Sequence, residues 1–293
     1  MFNQKPNVMK IKKTTALLAA ALFAASFSVA QNDATVEQNN NYNMADLEQS
    51  GSNEAMINQT SNASDISEQN EAFVSQTGQG NSLEYGVHGH SNLLESSQLG
   101  YGNQAIIEQG NWFDGDYNYG NHVILEQSSY GGGEMLEEGY EGTGNQAYLK
   151  LKGDENQIKV EQEGSGNYVG GMMVEGEMPE EGGEVTLLNA DEQTAFFKYE
   201  GDQSNIDIDQ EGSYNAVTGE VHNSYGTVDI DQEQLGNMAH IRVGGMENLR
   251  FNNEIYITQE GTMNASWVNQ QSNGNMADVD QMGMGNISHI TQQ

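Results

Sequence analysis

Apolar and polar residues alternate along most of this chain in short runs that open with asparagine and close with glutamine. The last forty residues show the pattern most plainly: NEIYITQ, NASWVNQ, NMADVDQ and NISHITQ begin at Asn253, Asn264, Asn275 and Asn286, eleven residues apart. Within each run the second and fourth positions after the asparagine are small or apolar: Ile255 and Ile257, Ser266 and Val268, Ala277 and Val279, Ser288 and Ile290. Period-two alternation over seven residues is a strand pattern, and its strict recurrence means one unit stacked on itself. The expected fold class is all-β: a β-solenoid, or cross-β stack, of about ten two-stranded coils with a 22-residue repeat and turn insertions.

The same unit begins at Asn32 and Asn43, and again at Asn53, Asn62, Asn70, Asn81, Asn92, Asn103, Asn121, Asn145, Asn156 and Asn167. It resumes at Ser204, Asn215, Gly226 and Asn237 and runs into the final four, giving twenty units. Between 53 and 70 the spacing shrinks to nine and then eight, and the register there is not fixed. Even-numbered units mostly follow a glycine-containing turn, as in Gln98-LGYG-Asn103 and Gln281-MGMG-Asn286. Glycine permits the positive φ of a tight reversal. Odd units tend to carry the larger second residue (Leu94, Val123, Ile158) and even units the smaller (Ala45, Ala105, Ala147), as two interdigitating layers require.

Alternation turns the asparagine, both apolar residues and the glutamine of each unit to one face. In parallel register, with strands about 4.8 Å apart, asparagine then lies over asparagine and glutamine over glutamine. A primary amide both donates and accepts, so such a column satisfies itself; unpaired and buried, each amide would cost about 1–3 kcal/mol. These amides are the candidate functional residues. All ten odd units end in glutamine (Gln38, Gln59, Gln76, Gln98, Gln127, Gln162, Gln210, Gln232, Gln259 and Gln281), and this column is assigned as the spine. Even units keep glutamine only at 49, 109, 270 and 292, with Glu68, Val87, Leu151, Met173, Val221 and Val243 elsewhere. The asparagine ladder comprises Asn32, Asn43, Asn81, Asn92, Asn103, Asn121, Asn145, Asn156, Asn167, Asn215, Asn237, Asn253, Asn264, Asn275 and Asn286.

Four spacings exceed eleven residues. The longest gap, 171–203, is acidic (EGEMPEEGGE) and contains Pro179 and the segment Thr194–Tyr199, TAFFKY, read as an extra strand or a docking segment. The expected organisation is a signal peptide at 1–30, repeats with insertions at 31–170, the acidic insertion at 171–203 and repeats at 204–293. The leader is read from Lys10, Lys12 and Lys13, the apolar run Ala16 to Ala25 and the small-x-small site Ser28-Val29-Ala30. That run is too short for a membrane span, so no stable membrane insertion is expected.

The chain has a formal net charge of −33, and four of its ten Lys and Arg lie in the leader, so the remainder is more acidic still. Nucleic acid is a poor partner for such a surface. With no cysteine, neither disulfides nor thiol chemistry is available. Gly100-x-Gly102-x-x-Ala105 fits a dinucleotide pattern only because a turn meets the next strand, and His88-x-His90 lacks a third ligand. Asp207-x-Asp209 and Asp229-x-Asp231 are outward strand positions rather than a calcium loop, and the sequon at Asn264 falls in a ladder slot. No catalytic, cofactor or metal residue is assigned, and no enzymatic activity is expected.

Strings of the form Q-x-G-x-x-N-x-A-x-I-x-Q resemble the curlin repeat, the unit of bacterial curli fibres, over most of the chain outside the insertions. The resemblance implies a secreted subunit of an extracellular amyloid that forms biofilm matrix. Its partners would be copies of itself, other curlin-like subunits and a dedicated outer-membrane secretion apparatus. Asparagine in both strand types is more like the minor, nucleating curlin subunit than the major one. The alternative expectation is a non-polymerising cell-surface β-solenoid adhesin, with the insertions at 111–144 and 171–203 as its contact surface.

Overall fold

The computed structural model describes residues 10–13, 32–39, 43–61, 69–109, 118–129, 144–152, 154–170, 197–200, 203–244 and 250–293. Those residues form strands and turns without a helix. In chain order the first strands are β1 (Lys10–Lys13), β2 (Asp33–Asn39), β3 (Asn43–Ser61), β4 (Asn70–His90), β5 (Leu93–Tyr101), β6 (Gln104–Gln109) and β7 (Asn118–Tyr119). Next come β8 (His122–Ser128), β9 (Gln146–Lys152), β10 (Gln157–Ser165), β11 (Tyr168–Val169), β12 (Phe197–Glu200), β13 (Asn205–Ser213) and β14 (Ala216–Ser224). The last are β15 (Thr227–Leu235), β16 (Met238–Val243), β17 (Arg250–Phe251), β18 (Glu254–Thr262), β19 (Ala265–Gln270), β20 (Met276–Met284) and β21 (Ile287–Gln292).

These strands pair in parallel and stack as two columns, so the chain is a β-solenoid. Column A holds the rungs that begin at 43, 70, 92, 121, 156, 204, 226, 253 and 275. Column B holds those that begin at 32, 53, 81, 103, 145, 167, 215, 237, 264 and 286. The chain alternates between columns, so successive coils stack like on like. Inward residues of both columns share one buried core, with Leu94, Leu125, Ile158, Ile208 and Ile257 from A and Ala105, Ile107, Leu149, Ala239 and Val268 from B.

The turn from A to B carries stacked glycines because backbone there lies directly on backbone. A Cβ on Gly164 would sit 1.6 Å from the Gly212 carbonyl oxygen, and one on Gly212 would sit 2.0 Å from that of Gln234. Both glycines have φ near +115°, where side chains are strained as well (+119° and +114°).

Two expectations are corrected. The first concerns the N-terminal register. The rung at Asn43 pairs with that at Asn70, and the rung at Asn53 pairs directly with that at Asn81, shifting by one residue between Ser52 and Glu54. The Asn62 unit lies outside the described residues, and the strands on either side of it, β3 and β4, pair directly with one another. The described residues from Asn32 onward therefore form nineteen rungs, and the first units exchange columns.

The second concerns the acidic insertion. The rung at Asn167 begins as β11, where Val169 pairs with Ala147. It finishes as β12, where Phe197 pairs with Leu149 and Tyr199 with Leu151. Gly170 and Phe197 are thus consecutive positions of one rung, and the repeats resume at Phe197 rather than at 204. Phe197 and Tyr199 hold the fourth and sixth positions of this rung, and Gly171 and Met173, which the sequence spacing put there, lie outside the described residues. The interruption falls within a strand, whereas the 110–117 and 245–249 segments lie between a B rung and the next A rung.

β1, within the expected leader, pairs in parallel with the outer edge of β2, Ile11 against Val36.

Candidate assembly site: amide ladders and end coils

Column A contains an unbroken glutamine ladder. Gln49 Nε2 donates to Gln76 Oε1 at 2.7 Å, and the pattern continues through Gln98, Gln127, Gln162, Gln210, Gln232 and Gln259 to Gln281 at 2.7–2.9 Å. The second hydrogen of each amide crosses the core to the carbonyl of the second residue of a B rung, as in Gln98 Nε2 to Ser82 O at 3.1 Å and Gln259 Nε2 to Met238 O at 3.1 Å. Both donors are used, so the buried glutamines carry little desolvation penalty.

Eight of the ten predicted spine glutamines are therefore assembled, with two exceptions. Gln38 and Gln59 stack on one another in column B at 2.8 Å, and Gln49 takes the first place in the spine. The cause is the N-terminal register: counting Asn62 as a rung reverses the columns of every unit before it.

Column B contains the complementary ladder, of asparagine. The backbone N–H of each asparagine donates to Oδ1 of the one before it, from Asn53 on Asn32 through Asn81, Asn103, Asn145, Asn167, Asn215, Asn237 and Asn264 to Asn286 on Asn264, at 3.0–3.3 Å. The same side chains fasten the turn behind them: Asn103 Nδ2 donates to Leu99 O at 2.8 Å and Asn286 Nδ2 to Met282 O at 2.7 Å. In column A the asparagines at 43, 70, 92, 121 and 156 stack similarly, then Ser204 and Gly226 intervene before Asn253 and Asn275. One complete ladder per column is a feature that sequence reasoning missed; its signal is that both non-asparagine starts, Ser204 and Gly226, belong to one column.

The glutamine ladder has a direction, with Nε2 toward the C-terminal coil and Oε1 toward the N-terminal one. Isolated glutamines of column B confirm it by what they lack. Gln109 faces Leu151 on the next rung and leaves Nε2 buried without a partner, while its Oε1 accepts from the buried Tyr85 hydroxyl at 2.8 Å. Gln270 faces Val243 on the preceding rung and leaves Oε1 buried without a partner, while its Nε2 donates to Gln292 Oε1 at 2.9 Å.

The outward face of column A is acidic. Glu126, Glu161, Asp209 and Asp231 stack in register. Partial burial, then the charges of Glu161 and Asp231, push Asp209 up to about 6. Burial followed by neighbouring carboxylates also raises Asp229 and Asp231. Lys159 relieves one point, 3.0 Å from Glu161 and 3.8 Å from Asp207. On column B, His240 lies 2.9 Å from Thr218 Oγ1, with its ring 4.4 Å from that of Trp267. Burial, aided by Arg242, holds it down to about 4, so it is neutral at physiological pH. Among the described residues no three His, Asp or Glu side chains come together as metal ligands.

At the ends of the solenoid the ladders stop with their edges open. Among the described residues nothing pairs the outer edge of Asn43–Gln49, of β20 or of β21. The inward residues of the last rung, Asn286, Ser288, Ile290 and Gln292, are only half-buried, whereas Val268 and Gln270 one coil earlier are fully buried. The last coil also replaces Glu254, Glu260, Thr262 and Ala265 of the coil before it by exposed Met276, Met282, Met284 and Ile287. No family model matches this chain, and no curated protein matches it.

Proposed function

We propose that this chain is a secreted structural subunit that self-assembles into extracellular, curli-like amyloid fibres serving biofilm matrix and adhesion. The observation that carries the reading is the combination of two unbroken amide ladders with end-coil edges, those of Asn43–Gln49, β20 and β21, that nothing among the described residues pairs. An open parallel edge is a template for another strand. Here the template extends beyond the backbone: buried amides at the edge gain partners only when a chain of matching pattern docks in register. The resemblance of the unit to the curlin repeat and the leader pattern at 1–30 support export and assembly outside the cell. The acidic outward face supports solubility before assembly and argues against nucleic acid as a partner.

The test is direct. Purified chain beginning at Gln31 should convert to fibres that bind thioflavin, with a cross-β spacing of about 4.8 Å. A monomer that stays unchanged by light scattering for days would overturn the reading and favour the non-polymerising surface adhesin.

A further inference from the structure

Among the described residues from Asn32 onward, column B has ten rungs and column A nine, so the described coils begin and end on a B rung. Because the chain alternates columns, it climbs half a strand spacing per rung. If one copy were set on another with every rung kept, β21 would meet β2 of the next copy. The A rungs at 275 and 43 would then lie two spacings apart, roughly 9.6 Å, with one rung missing. That gap would leave two strand edges unpaired beside Ala45, Leu47, Ala277 and Val279. Removing one B rung makes the columns nine and nine, and both then pair across the junction.

We infer that β2 is a supernumerary rung that covers the assembly edge of its own chain, and that a second copy docks by displacing it. This rests on the reading that the chain polymerises. The contacts of β2 are those an incoming end would make. Asn32 Oδ1 accepts from the backbone N–H of Asn53 at 3.0 Å, and Gln38 Nε2 donates to Gln59 Oε1 at 2.8 Å. Asn286 and Gln292 end the same column with the same groups facing outward, Oδ1 and Nε2, because the ladders share one direction along the chain. In the displaced arrangement Gln292 donates to Gln59, Gln281 donates to Gln49, and Asn286 accepts from Asn53. Column B then reads Gln270, Gln292, Gln59 across the junction, which explains why glutamine is kept near both ends of a column that is otherwise largely apolar at this position.

β2 yields rather than β21 because it is held less firmly. Asn286 donates through both N and Nδ2 to Asn264 Oδ1 at 3.1 Å and locks its turn on Met282 O. Asn32 meets the rung it covers through one bond, accepting from Asn53 N, and its Nδ2 donates to Gln49 O at 3.1 Å, which is one bond fewer than Asn286 makes. β1, stacked on the outer edge of β2, covers the same end and would leave with the leader.

The absence of cysteine makes the test clean. Thr35 and Met56 are neighbours in register on adjacent parallel rungs, about 4.8 Å apart, within disulfide reach. In the chain from Gln31, the double variant Thr35→Cys, Met56→Cys should lose fibre elongation when oxidised, with β2 locked down, and regain it on reduction. Mixed single variants Met56→Cys and His289→Cys should form an intermolecular disulfide within fibres, as should Asp46→Cys with Asp278→Cys. Equal elongation of the oxidised and reduced double variant would overturn the inference. So would an intermolecular disulfide of Thr35→Cys with His289→Cys in place of the Met56 pair, because β2 would then be retained at the junction. Fibres that form with none of these linkages overturn it while leaving polymerisation standing; absence of fibres from the unmodified chain overturns polymerisation itself.

Discussion

Columns A and B are built from the same seven-residue unit, yet they solve the burial of polar groups differently. Column A keeps glutamine at every rung end, Gln49 to Gln281, and tolerates Ser204 and Gly226 at the rung start. Column B keeps asparagine at every rung start but glutamine at only half of its rung ends, with Val87, Leu151, Tyr199, Val221 and Val243 at the others. An amide column is stable when continuous, because each group's partner is another copy of itself. It is equally acceptable when absent, because an apolar column buries cleanly. The costly arrangement is the interrupted amide column, and Gln109 and Gln270 show it at the breaks, each with one orphaned polar atom.

The comparison is broken most severely by removing part of a rung. Deleting 172–202 takes away β12, leaving β9 and β14 without the second half of the rung that joins them. Loss of cooperative unfolding by circular dichroism is expected. Deleting 171–196 instead joins Gly170 to Phe197 and restores the run NYVGFKY, with the fold retained and a melting temperature close to that of the parent chain. Equal damage from both deletions would show that the interrupted rung is not one strand in two pieces.

Breaking the glutamine ladder comes next. Gln210→Ala removes the acceptor of Gln162 and the donor to Gln232, at a cost of roughly 2–4 kcal/mol in denaturant unfolding. A smaller contrast comes from adding glutamine to column B. Val243→Gln gives the orphaned Gln270 Oε1 a donor and should change stability by less than about 1 kcal/mol, whereas Val221→Gln gains no glutamine neighbour and should cost about 2 kcal/mol. If the two variants behave alike, ladder continuity is not what governs the column.

The mildest prediction concerns the acidic face of column A. Asp209 is raised to about 6 in the stack, so folding is opposed while it is ionised, above that pH. The folded chain binds more protons than the unfolded one, so stability rises as pH falls from neutrality toward about 4, the ordinary carboxylate value. Asp209→Asn should raise the melting temperature at pH 7.5, and the gain should vanish near pH 4. A pH-independent gain would mean that the substitution acts through packing rather than charge.

Much of this was legible in the sequence because the unit is short, strict and chemically distinctive. Alternation placed residues such as Ile158, Gln162 and Val268 inward, and the recurrence of the unit placed the eight spine glutamines from Gln76 to Gln281 in one column. Where spacing failed, so did the reading. Rungs 43 to 70 and 53 to 81 are separated by 27 and 28 residues, and a unit-like stretch at Asn62 filled the gap in the count. A strand also has no local signal for a long interruption between its third and fourth positions, so Phe197–Glu200 read as part of an insertion.

The sequence by itself determined the repeated strand, its inward face and the need of its amides for like neighbours, because these follow from side-chain alternation and hydrogen-bonding capacity. The tertiary structure alone decided which rung lies on which, that β11 and β12 are one strand, the direction in which the glutamines donate, and the excess of one B rung among the described residues from Asn32 onward. Those are properties of stacking: hydrogen bonds between residues 21 to 48 positions apart select the register, and the spacing along the chain constrains it only where no residues are inserted.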